Sequence, residues 1–233
     1  MEHEVQQNIW ITLLRKMPSL MFGLFLYGLA IDLGLYSQLG MSPWDVFHMG
    51  IVNHSPFTLG QVSIMAGFVI IVLSLFLGVI PGLGSVMNMI FIGLFVDLIN
   101  NWGILGTPHS LAGRIAMLLV AVFIIGFASF FYMRVELGAG PRDSLMEGLV
   151  VKLDKPVWII RAAIEITVLV IGFFMGGPVG VGTLLFAFAI GPSVQFAFKV
   201  GGYDSKQTHH MNLIELYKNI RGAGKVSPDG IEE

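Results

Sequence analysis

Apolar residues run along this chain in six long blocks, 19–37, 61–80, 84–100, 111–133, 157–175 and 181–200, separated by short segments rich in glycine, proline or charge. A bilayer hydrocarbon core of about 30 Å is crossed by about 20 helical residues, so each block predicts a transmembrane helix. The third block is short, and the fifth carries Arg161 and Glu165. Buried helices of a soluble protein are excluded as an explanation, because six such blocks leave almost nothing polar to meet water. Flanking the blocks are two amphipathic pieces. Ile9, Trp10, Leu13, Leu14 and Met17 predict a short interfacial helix in an N-terminal segment, 1–18. Leu213, Leu216, Tyr217 and Ile220 predict another in a tail, 201–233, which anchors at the interface or docks a cytoplasmic protein.

The pattern repeats. At an offset of 98 residues Leu39 falls on Leu137, Gly40 on Gly138, Pro43 on Pro141, Asp45 on Asp143 and Gly50 on Gly148. Further along, Gly78, Gly82, Gly84 and Gly93 fall on Gly176, Gly180, Gly182 and Gly191. The units are 19–104 and 105–200. Each holds three spans, an odd number, so the second copy starts on the opposite side of the membrane from the first. The expected fold is an all-α polytopic membrane protein with six transmembrane helices in two inverted three-helix repeats, each carrying a short interfacial or re-entrant helix. Those short helices start at the repeated proline. Ser42 is placed to cap, Pro43 sits at the first helical position where its missing N–H costs nothing, and Asp45 is three residues past the cap. In the second copy Gly140, Pro141 and Asp143 keep the proline and the acid without a side-chain cap. Residues 43–53 and 141–151 are too short to cross. They lie at the interface, or dip inward with their N-termini facing a polar ligand.

Composition agrees with the pattern. Hydrophobic residues are 55% and charged residues 12%, with mean hydropathy +0.80, whereas soluble domains carry roughly 25% charge. The formal net charge of -2 offers nothing to nucleic acid. The absence of cysteine removes disulfides, thiolate metal sites and cysteine nucleophiles. The first apolar block lacks a small-residue cleavage site and reads as a retained helix. Basic residues fix an expected orientation. With the N-terminus inside, Arg15, Lys16, Arg134, Arg142, Lys152, Lys155, Lys199, Lys206, Lys218, Arg221 and Lys225 all fall on the inner side, and only Arg114 falls outside. Both termini are therefore expected in the cytoplasm, across the cell inner membrane.

Polar residues within apolar blocks are the candidates for chemistry, since their burial in lipid is costly. Glu165 lies near the middle of the fifth span, with Arg161 one turn away on the same face. The pair either fixes helix packing or offers a carboxylate to a cation, a proton or a cationic substrate group. Asp32, Asn88 and Gln195 complete the expected cavity set, and Ser42, Pro43, Asp45, Pro141 and Asp143 form a helix-capping or gating set. Asp45, His48 and His54 have spacing a metal could use, but the second copy keeps no histidine. His48 is expected at an exposed interface, His209 and His210 sit in the tail, and no metal or other cofactor is expected. No HExxH, GxSxG or Walker sequence occurs, so enzymatic activity is not expected.

The glycine-rich first span (Gly23, Gly28, Gly34), the run Leu39-Gly40-Met41-Ser42-Pro43-Trp44-Asp45, the run Thr58 to Ser63, and the Gly82-Leu83-Gly84-Ser85 turn before Asn88 resemble the YczE/YyaS/YitT family of bacterial integral membrane proteins, and its YczE-like branch most. The likeness covers roughly residues 15–200. YitT-like members add a soluble C-terminal domain, where this chain has about thirty polar residues after Val200. The resemblance implies a multipass bacterial membrane protein and assigns no residue a role. The expected function is a secondary transporter or permease-like protein for a small solute, with alternating access at the repeat interface and coupling through Glu165. The alternatives are a membrane-embedded small-molecule-binding or regulatory subunit, and a structural or assembly protein.

Overall fold

The computed structural model describes residues 2–204, 208 and 210–221. Lys206, His209 and Lys225 lie outside them. Nine helices are present among the described residues: α1 (Glu2–Ser37), α2 (Pro43–Val52), α3 (Leu59–Phe76), α4 (Leu83–Trp102), α5 (Leu111–Met133), α6 (Pro141–Leu153), α7 (Val157–Phe174), α8 (Val181–Gly201) and α9 (Leu213–Ile220). Six of them, α1, α3, α4, α5, α7 and α8, are long and apolar enough to cross a membrane. Large side chains such as Phe76, Phe174 and Phe188 point outward from them, as lipid-facing positions should.

The first helix differs from expectation. The segment 1–18 forms no separate interfacial helix; α1 runs unbroken from Glu2 through Pro18 into the first span. A proline inside a helix removes one hydrogen bond and need not end it when neighbouring packing holds the backbone. Here that packing comes from Leu13, Leu20 and Leu24, buried with Tyr132, Val135, Leu137 and Leu216 of α9. Lys16 reaches Glu136 at 3.9 Å. The tail helix is therefore seated on the bundle, and its Leu216 belongs to the core. The Met211 N–H donates to the Glu136 carbonyl (3.0 Å) and the Leu213 N–H to that of Pro81 (3.0 Å).

Helix starts follow local chemistry. Thr58 and Gln61 satisfy each other's backbone N–H at 3.1 Å, a capping box that opens α3. Ser42 caps α2 and Ser110 caps α5, while α6 starts from Gly140 with Pro141 in its first turn. Two extended segments precede α2 and α6. Each crosses the turn that leads into a distant span, and the two crossings mirror one another. The Gly84 N–H donates to the Leu137 carbonyl and the Gly182 N–H to the Leu39 carbonyl, both at 2.6 Å, and each donor and acceptor is 98 residues from its counterpart. Gly40 (φ 110°) and Gly138 (φ 123°) hold left-handed backbone at these crossings and lie against Gly180 and Gly82. A side chain at either position is excluded twice, by conformation and by the opposing backbone.

Helix pairing follows the same correspondence. The α1 helix packs along α5, α1 on α4 as α5 on α8, and α2 on α7 as α6 on α3. The largest departure is that α3 packs closely along α4, while α7 makes at most marginal contact with α8.

Candidate functional site

A cavity of about 690 Å³ lies inside the bundle, lined by residues of α1 to α8. Its floor is formed by the first turns of α2 and α6, which contribute Ser42, Pro43, Trp44 and Asp45 on one side and Gly140, Pro141, Arg142 and Asp143 on the other. The two turns meet. Arg142 Nη2 lies 3.9 Å from Asp45 Oδ1, and the guanidinium sits over the Trp44 ring, 4.9 Å from its centroid. Ser42 Oγ donates to Asp45 Oδ2 at 2.5 Å, and the Asp45 N–H returns a long bond to Ser42 Oγ at 3.4 Å. Burial pushes the Asp45 carboxyl up, with Arg142 and Ser42 opposing that rise.

His48 was expected at an exposed interface, and it is only 2% exposed. One turn beyond Asp45, it lines the cavity among Trp44 and Phe47. Neither ring nitrogen has a hydrogen-bond partner, and Nδ1 stands 3.9 Å from Asp45 Oδ1. Burial, with Arg142 nearby, lowers its pKa to about 3, so the ring is neutral at physiological pH. Two polar atoms buried without partners are costly.

The upper wall carries the fifth span's charges. Arg161 Nε donates to Glu165 Oε1 at 3.1 Å, the i, i+4 pairing that the spacing predicted, and both side chains line the cavity. Asn88 also lines it, beside Gly140. Opposite, the Tyr27 and Ser129 hydroxyls are 2.6 Å apart, and Tyr132 donates to the Gly138 carbonyl at 2.9 Å. Tyr27, Ser129, Tyr132 and Trp44 were not singled out from sequence, and His48 was expected at an exposed interface instead of here. The signal available was proximity: Trp44 and His48 lie within the repeated proline segment.

Asp32 and Gln195 stand elsewhere. Asp32 is fully buried away from the cavity lining, where Asn100 Nδ2 donates to its Oδ1 at 2.7 Å and Tyr36 donates to Asn100 Oδ1 at 2.9 Å; its Oδ2 has no partner. Gln195 is exposed on α8. Asp97 ties α4 to the start of α3, accepting from the Thr58 hydroxyl (2.6 Å) and the Gly60 N–H (3.1 Å). Among the described residues no group of three or more His, Asp or Glu is placed to hold a metal ion.

Comparison with known proteins accords with this architecture. A family of unknown function, DUF6198, matches residues 14–199. The chain belongs to this family. It is 37% identical over 177 residues to the uncharacterized membrane protein YczE of Bacillus subtilis, covering 75% of this chain and 81% of that one. An uncharacterized protein of Haemophilus influenzae is 34% identical over 193 residues, 83% of this chain and 88% of the relative. YyaS of Bacillus subtilis is more distant, 23% identical over 168 residues, 70% of this chain and 82% of the relative. The resemblance to YczE and YyaS read from the glycine and proline motifs is thus homology along most of the membrane part. No solved structure matches the chain.

Proposed function

We propose that this DUF6198 member is a secondary transporter or permease-like protein of the bacterial inner membrane, exposing a central site alternately to its two faces. One observation carries the reading: the first turns of α2 and α6, which occupy corresponding places 98 residues apart, meet inside one cavity and share the Asp45–Arg142 contact. The reciprocal Gly84–Leu137 and Gly182–Leu39 bonds support treating the chain as two copies of one unit. With three spans per unit the copies are inverted, and α2 and α6 are re-entrant helices whose N-termini, each the positive end of a helix dipole, converge near the midplane. The distribution of basic residues places both chain ends in the cytoplasm. Rocking one unit against the other opens the cavity first to one side and then to the other, with Glu165 as the group through which a proton or cation couples. The activity is binding and movement of a solute, with no bond made or broken.

Cysteine-free sequence makes the test direct. Gly140→Cys and Ser63→Cys place single thiols on the cavity wall. A charged, membrane-impermeant methanethiosulfonate is expected to modify both when added to intact spheroplasts, which present the periplasmic face, and when added to inverted vesicles, which present the cytoplasmic face. Modification from one face only contradicts alternating access. That outcome belongs to the second reading, a non-transporting binding subunit, which one feature favours: α9 is seated over the Gly82–Gly138 crossing and has no counterpart among the described residues on the Gly40–Gly180 crossing.

A further inference from the structure

The two halves differ most in the packing of their last two spans. In the first, α3 and α4 close on each other: a Cβ at Gly60 would overlap the Gly93 carbonyl, and one at Gly93 would overlap that of Gly60. Asp97 staples the same seam through Gly60 and Thr58. The corresponding residues 98 positions later are Trp158 for Gly60, Gly191 for Gly93, Gln195 for Asp97 and Pro156 for Thr58. Every closing element is replaced or left alone. Trp158 is 71% exposed, and a Cβ at Gly191 would meet nothing within 4 Å. The α7–α8 seam is therefore open on the surface that faces lipid, and it leads into the cavity, whose lining on this side includes Arg161, Ile164 and Glu165 of α7 and Ala187, Gly191 and Val194 of α8.

The two lips differ in chemistry. The α8 lip is apolar, with Phe188 78% exposed. The α7 lip carries the Arg161–Glu165 pair, whose side chains are 57% and 30% exposed at mid-span. Charges turned towards a lipid-facing opening are expensive unless a polar group covers them. Deeper in, the floor holds His48 with two unpartnered ring nitrogens. Three carboxylates, Asp45, Asp143 and Glu165, face two guanidinium groups, Arg142 and Arg161, around this space. Arg142 is taken up by Asp45 and Arg161 by Glu165, so the cavity's formal balance of charge is one negative. Asp143, exposed at the cavity wall, feels Arg161 and Arg142 only at longer range and is the lining carboxylate without an ion pair within 4 Å among the described residues.

We infer that the α7–α8 seam is a lateral portal through which an amine-bearing amphiphile enters from the bilayer, its cationic head on Asp143 in the cavity and its chain lying between α7 and α8. The inference rests on the transporter reading for its purpose, but the portal stands or falls by binding alone. The lips supply a continuous path from lipid to the polar floor, so the chain need never enter water. The charge balance selects the head.

The probe is hexadecylamine bearing a photoreactive diazirine on its chain, incubated with the full-length protein in phosphatidylcholine nanodiscs and mapped by mass spectrometry. Adducts are expected on the seam, around Ile164, Ala187 and Gly191. Unlabelled hexadecylamine displaces them, whereas butylamine, hexadecanol and hexadecyl sulfate do not. Gly191→Phe fills the open lip and abolishes the adducts without changing the melting temperature; if it fails to fold, Val194→Trp blocks the same path. Asp143→Asn lowers capture by about tenfold or more, the loss of one ionic contact worth ~1.4 kcal/mol. Adducts spread evenly over lipid-facing helices, or adducts that survive the filled lip, overturn the portal. Competition by butylamine equal to that of hexadecylamine overturns the amphiphile and leaves transport of a water-soluble amine standing. Equal competition by the alcohol or the sulfate overturns the choice of head group. One-sided thiol access at Gly140 and Ser63 removes transport while leaving capture through the seam intact, so the two proposals fail separately.

Discussion

His48 shows how a single residue records its surroundings. Its folded pKa, about 3, lies below the ordinary 6.5, so the folded chain binds fewer protons than the unfolded chain at every pH between those values. Stability from this group is therefore present above pH 6.5 and falls as the pH drops towards 3, by up to 1.4 kcal/mol per unit. Asp45, raised by burial, acts in the opposite direction, so the quantity to measure is a difference. The melting temperature of wild type relative to His48→Gln in detergent should decline between pH 7.5 and pH 5, by the equivalent of ~2 kcal/mol; a pH-independent difference would mean that His48 is not held neutral by burial. Arg142→Gln leaves Asp45 buried without its guanidinium and, because the Arg142 side chain is itself partly exposed, should cost ~1 kcal/mol of stability, with Asp45→Asn/Arg142→Gln less damaging than Arg142→Gln alone. Much at this scale was legible beforehand. Ser42, Pro43 and Asp45 announce a helix start because capping is local chemistry, and Arg161 with Glu165 announces a pair by spacing. The burial of His48 was not legible, since it depends on α7 packing against α2, and no local pattern encodes that contact. Nor could sequence tell Asp32, held by Asn100 in the packed interior, from Glu165, which lines the cavity. Both are acids in apolar helices, and only helix rotation separates them.

At the scale of elements, glycine spacing carries the most information. Gly60 and Gly93 let α3 and α4 meet backbone to backbone, and small residues at such contacts are the usual means of packing helices in lipid. Gly60→Ala should destabilise by ~1–3 kcal/mol, because its methyl meets a carbonyl that cannot move aside cheaply. Gly191→Ala, at the corresponding place, should leave the melting temperature unchanged or slightly raised. Equal effects at the two positions would contradict the open α7–α8 seam. The repeat told where these glycines fall; it could not tell that only one pair closes, because the difference lies in what the partner helix presents. The continuation of α1 through Pro18 was missed for a similar reason. Proline and two adjacent basic residues look like a boundary when read alone, and they are overridden by the apolar contacts of Leu13 and Leu20 with α9.

For the whole molecule, the number of spans and the membrane setting were readable from hydropathy alone, because lipid imposes a length on every helix that crosses it. The opposed orientation of the two halves rests on longer reasoning: an offset of 98, three spans per unit, and basic residues gathered on one side. The proposed transport depends on it, since only α2 and α6 converging from opposite faces would make a central site reachable from both. The loops after α2 and α6 test it most directly. Phe57 and Asp154 are exposed in the loops that follow α2 and α6, and no native cysteine competes with an introduced one. An impermeant maleimide applied to intact cells should label Phe57→Cys and spare Asp154→Cys, which reacts only once the membrane is opened. Labelling of both from outside, or of neither, would contradict the inverted arrangement and the transport mechanism built on it.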